Sequence, residues 1–121
     1  MPRITSQTFK NLTATSLDLT TSAITQGTAI TSGVTCNAAT GVITTVSATL
    51  GTQGSASFAV TNSLVHPTSA VIANICNYAG STGIPSLIVE DVTQGSFNMT
   101  LHNLSVTAAL NGAVKGAFVV L

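Results

Sequence analysis

Along residues 95–121 the apolar and polar positions fall into a regular order. Phe97, Met99 and Leu101 alternate with Asn98, Thr100 and His102, a period of two that sends one row inward and the other outward. Asn111 and Gly112 both tolerate positive φ and predict a tight hairpin turn. Beyond them the chain is apolar to Leu121, with Lys115 its only charge. Such an end predicts an interior strand, or one buried against a partner. The same alternation places Ala56, Phe58 and Val60 on one face of a strand at residues 55–62. Residues 70–77 (AVIANICN) read as a strand buried on both faces, and residues 87–92 as a further strand. Gln94 and Gly95 predict the turn into the strand at 96–103.

Between these strands the punctuation is short. Residues 51–54 (GTQG) form a loop, Pro67 after His66 interrupts any central strand, and residues 78–85 form a loop carrying Gly80, Gly83 and Pro85. Residues 23–50 are dense in threonine with short apolar pairs. Gly27, Gly33 and Gly41 divide this stretch into short strands and tight turns. No stretch offers a helical face. The fold class expected is all-β: an antiparallel β-sandwich or jelly-roll-like domain of about seven to nine short strands, with turn signals roughly every 8 to 12 residues. Residues 1–20 differ in texture, with Ile4, Phe9, Leu12 and Leu17 widely spaced among polar residues. They read as an extended N-terminal arm that lies on a partner, with an edge strand of the same domain or a floppy tail as the alternatives. The domain proper is then 21–121.

Charge changes the picture more than length does. Only 5% of the 121 residues are charged, against roughly a quarter in an ordinary soluble domain. Arg3, Lys10, Asp18, Glu90, Asp91 and Lys115 are the whole set, and they sum to zero. Without a basic patch to neutralise phosphates, no nucleic-acid partner is expected. The uncharged Thr- and Ser-rich surface gives little repulsion between molecules and favours association. Mean hydropathy is +0.54, yet no apolar run approaches the roughly 20 residues of a membrane span, so no membrane partner is expected. Residues 1–10 lack the apolar centre of a signal peptide, which points to a chain made and kept in a cytoplasm. Cys36 and Cys76 accordingly read as unpaired core residues, with a disulfide between them as the alternative.

Candidate chemistry is sparse. His66 and His102 are the only histidines, one before a proline and one on the outward row of a strand; both read as surface residues rather than general bases. No catalytic residue is assigned and no enzyme is expected. Glu90 and Asp91 are adjacent, so on a regular strand they point to opposite faces and cannot share a metal. A calcium site would require Asp91 to turn out of the strand; otherwise the two are solvated charges. Two cysteines and two histidines without close spacing do not make a zinc site. No metal or cofactor is expected. Tyr78 and the loop after it could contact a sugar or a partner, or the ring could simply pack over the sandwich end.

The segments ITQGTAITSGVTCNAATGVITTVSATL, FAVTNSLVHPTSAVIANICNY and GSFNMTLHNLSVTAALNGAVKGAFVVL resemble a small module in structural proteins of tailed bacteriophages, cyanophages in particular. The similarity covers residues 22–121. It implies a β-rich, homotrimeric virion component, found in that group both as fibre knobs and as free-standing decoration proteins. Because Met1 is followed by one domain, the expectation is a non-enzymatic capsid decoration or cement protein. It would sit on the major capsid protein at symmetry axes of the capsid surface, having been made in the host cytoplasm. A tail-fibre or receptor-binding tip module is the alternative. Under the first reading Ile4, Phe9, Leu12 and Leu17 are the arm's partner-binding residues, and under the second Tyr78 is the loop contact.

Overall fold

A computed structural model describes residues 21–121; Arg3 to Leu19, and with them the arm contacts assigned to Ile4, Phe9, Leu12 and Leu17, lie outside the described residues. Eight strands follow in order: β1 (Thr21–Thr25), β2 (Val34–Thr35), β3 (Thr40–Ala48), β4 (Ser55–Thr61), β5 (Val71–Tyr78), β6 (Pro85–Thr93), β7 (Ser96–Asn103) and β8 (Gly112–Val120). They form two four-stranded sheets, ordered β1-β3-β8-β5 and β2-β4-β7-β6. The all-β sandwich expected from the sequence is what the chain forms.

Its sheets are mixed rather than antiparallel throughout. β1 runs parallel to β3 and β2 parallel to β4, while β3–β8, β5–β8, β4–β7 and β6–β7 are antiparallel. The parallel pairs arise because the chain leaves β1, crosses to the other sheet for β2, and returns for β3. A parallel neighbour needs such a crossover.

The period of two does what it should. On β7, Phe97, Met99, Leu101 and Asn103 are all buried, and on β8 so are Gly112, Val114, Gly116 and Phe118. The two rows face each other across the sandwich, and Phe97 meets Phe118 edge-on with ring centroids 5.3 Å apart. The C-terminal strand is interior, between β3 and β5, the first of the two placements its apolar sequence allowed.

Several local expectations are corrected. Asn111 and Gly112 make no hairpin: neither has positive φ, and β7 and β8 belong to different sheets. Among the described residues the only hairpin within one sheet is β6–β7, where Gly95 takes φ +84°. β5 is not buried on both faces. It is an edge strand whose outer row, including Ile72 and Cys76, is exposed. Gly41 lies inside β3 and marks no turn; a Cβ there would come within 2.5 Å of the Phe118 ring and 2.8 Å of Cys36 Sγ, so its small size makes room for both. Both cysteines are free, but only Cys36 is in the core.

Candidate functional site

The sandwich has two ends, and strand directions decide which loops share each. β3, β5 and β7 all finish where β4, β6 and β8 begin, so residues 49–54, 79–84 and 104–111 gather at one end. These loops are held by two asparagines. Asn103, fully buried, donates from Nδ2 toward the carbonyls of Leu50, Gly51 and Ala108 at 3.2, 3.0 and 2.9 Å. Its Oδ1 accepts from the amides of Ile84 and Ser105. One side chain thus reaches all three loops. Asn111 Oδ1 accepts from the amides of Ser81 and Thr82, and its Nδ2 donates to Ser81 Oγ.

Tyr78 ends β5, where its hydroxyl serves the same bracing. It donates to the Thr82 carbonyl at 2.6 Å and accepts from the Asn111 amide at 2.8 Å. With its one proton given to Thr82, the hydroxyl has little left for a ligand. The ring packs half-buried against the cluster of Ala48, Leu101, Leu110 and Val114. Tyr78→Phe is expected to lower stability by about 1 kcal/mol, since water reaches the orphaned groups. Amide exchange should speed up at residues 79–84 more than in β7. Uniform exchange across both would show that Tyr78 does not brace this loop.

Among the polar residues that this braced end presents to solvent, three large apolar side chains are also exposed. Ile84, Leu104 and Val106 are 55%, 51% and 70% exposed. Ile84 and Leu104 are side by side, joined by the bond from the Leu104 amide to the Ile84 carbonyl at 2.8 Å. Burying such side chains in a complex releases roughly 25 cal/mol per Å² of apolar surface. The alternation of residues in the strands gave no hint of this trio, because all three sit in connections.

A second feature lies on the outer face of β4, β7 and β6. Register sets Ser55, His102 and Ser86 in one row across the sheet, Ser57, Thr100 and Ile88 in the next, and Ala59, Asn98 and Glu90 in the third. A shallow groove of about 280 Å³ is lined by Ser55, Ile88, Glu90, Thr100 and His102. The ladder is interrupted between Glu90 and Thr93, and Asp91 takes φ +53°. This bulge overturns the expectation that the two acids face opposite ways. Asp91 Oδ2 accepts from Asn98 Nδ2 at 3.1 Å and Glu90 from the Thr100 hydroxyl, and both donors stand in the outward row of β7. Even so, no group of three His, Cys, Asp or Glu that could hold a metal ion occurs among the described residues.

The other sequence candidates are dispersed. His66 lies at the opposite end, bonded to Gln94 Oε1 at 3.1 Å in the loop before β5. His102 Nε2 is 3.1 Å from the Gln53 carbonyl. Cys36 is buried in the main core cluster, and Cys76 Sγ is 3.4 Å from the Lys115 carbonyl on the opposite edge of the fold from β1. No family model, curated protein or solved structure matches the chain.

Proposed function

We propose that this chain is a non-enzymatic structural protein of a virion, a decoration or cement protein that docks on the major capsid protein at symmetry axes of the capsid surface. One observation carries the docking end: Ile84 and Leu104 stand exposed side by side, with Val106 exposed two residues further on, all on loops already fixed by Asn103, Asn111 and Tyr78. A patch whose backbone is ordered before binding loses little conformational freedom on contact. The resemblance of residues 22–121 to phage structural modules supports the virion setting, and the low charge of the chain supports life within an assembly. As a homotrimer the protein would present the patch three times on a three-fold site, so each contact raises the effective concentration of the next.

A receptor-binding tip of a tail fibre is the second reading, favoured by the same convergence of three loops at one end. Immunogold labelling of intact virions separates the two. Label over the head is the expected result; label confined to the tail tip would replace decoration with receptor binding, and unlabelled particles would end both. The docking end has its own test, in binding to shells that lack the protein. The triple variant I84S/L104S/V106S should keep its fold, since all three side chains are exposed, and bind at least tenfold more weakly, about 1.4 kcal/mol. Binding equal to the parent chain would move the docking surface elsewhere.

A further inference from the structure

The groove on the outer face of β6 and β7 is a separate matter from shell docking, and its chemistry is specific. Glu90 and Asp91, the two acids among the described residues, and one of the chain's two histidines stand on this one face, in a molecule of which only 5% of residues are charged. Its hydroxyls are oriented. Thr100 Oγ1 lies within hydrogen-bond reach of both Ser57 Oγ, at 3.2 Å, and Glu90 Oε1. A carboxylate only accepts, so Thr100 donates its one proton to Glu90, with Ser57 Oγ the other acceptor within its reach. That engages one carboxylate oxygen of Glu90, a residue lining the groove, and leaves its second oxygen as a further acceptor. His102 Nε2 faces a carbonyl and therefore carries the ring proton, which makes Nδ1 an acceptor in the neutral ring. Ser55 adds a hydroxyl that donates or accepts, and Ile88, half exposed, adds the one apolar wall.

This set selects among ligand classes. An anion meets the Glu90 carboxylate and no lysine, because the one lysine among the described residues, Lys115, projects from the other sheet. A metal ion finds too few ligands in reach. A neutral polyol fits both halves of the groove: its hydroxyls donate to Glu90 and His102 and pair with Ser55, while a ring's C–H face lies on Ile88. At about 280 Å³ the volume is just below the usual lower bound of roughly 300 Å³ for small-molecule sites, which limits the occupant to a single ring.

We propose that this groove binds one neutral sugar ring, with Glu90 as the principal hydrogen-bond acceptor and Ile88 as the apolar platform. The test is amide-resolved NMR of the full chain titrated with glucose, galactose, mannose and N-acetylglucosamine, in buffer containing EDTA. One of the four should shift the amides of residues 55–57, 88–90 and 100–102 saturably, with a millimolar Kd. Glu90→Gln and, independently, Ile88→Ser should each weaken that binding at least tenfold while resonances in β3 and β8 stay in place. Repeating the titration with an oligosaccharide ending in the same ring distinguishes a glycan terminus, which binds tighter, from a free sugar, which does not. Absence of saturable shifts with all four sugars, shifts centred elsewhere, or unchanged affinity in Glu90→Gln overturns the proposal. Because the triple variant at the loop end leaves these residues intact, failure of shell docking and failure of sugar binding are read separately.

Discussion

Gly112→Ala should cost about 3 kcal/mol of stability and lower Tm by roughly 10 to 20 °C. A Cβ at this position would sit 2.4 Å from the amide nitrogen of Gly80, 2.6 Å from its Cα and 2.8 Å from the carbonyl carbon of Ala79. Those are backbone atoms, and they have nowhere to go. The Ala79 amide bonds the Ala113 carbonyl at 2.9 Å, and the residues just beyond are held by Asn111 and Tyr78. Separating the two backbones by the needed ångström would break that bracing or push β8 out of register with β3 and β5. Urea denaturation of the variant checks the figure. A loss below about 1 kcal/mol would mean that the loop yields easily and that the bracing is weaker than its geometry implies.

Asn103→Ala should be at least as damaging, at about 4 kcal/mol. The side chain is fully buried, and its removal leaves two amides and three carbonyls without their partner. Each buried polar group left unpaired costs about 1–3 kcal/mol, discounted here because relaxing loops admit some water. Asn103→Asp separates hydrogen bonding from cavity formation. It keeps the shape and both accepting positions but turns the donor toward three carbonyls into another oxygen. A buried carboxyl in that setting has its pKa raised on folding, so the native state holds the proton more firmly than the unfolded chain. The variant should therefore be closer to the parent at pH 4 than at pH 7, losing stability as pH rises above the unfolded carboxyl pKa of about 4. Equal stability of Asn103→Asp and the parent at pH 7 would show that the Nδ2 contacts contribute nothing.

Asn103 illustrates how far the sequence could be read. It occupies the next inward position after Phe97, Met99 and Leu101, so its phase marks it as buried, and a buried amide must find partners. What the phase does not supply is their identity, since Leu50, Gly51 and Ala108 arrive from other parts of the chain. Tyr78 was visible as a candidate contact, yet the bond from its hydroxyl to Thr82 assigns it to bracing. The trio of Ile84, Leu104 and Val106 was invisible. Apolar residues in connections have no periodicity to betray which way they face.

By itself the sequence determined the strands of the C-terminal two thirds, the inward rows of β4 and β7, the β6–β7 hairpin and the burial of β8. All of these follow from side-chain alternation and from turn residues, which act over a few neighbouring positions. Only the tertiary structure decided that β1 lies parallel to β3, that β5 is an edge, that the chain crosses between sheets at residues 104–111 instead of turning back, and that a bulge at Asp91 brings two acids to one face. Those outcomes depend on which distant strand supplies the next row of hydrogen bonds. That choice is set by how the two apolar faces fit together across the sandwich.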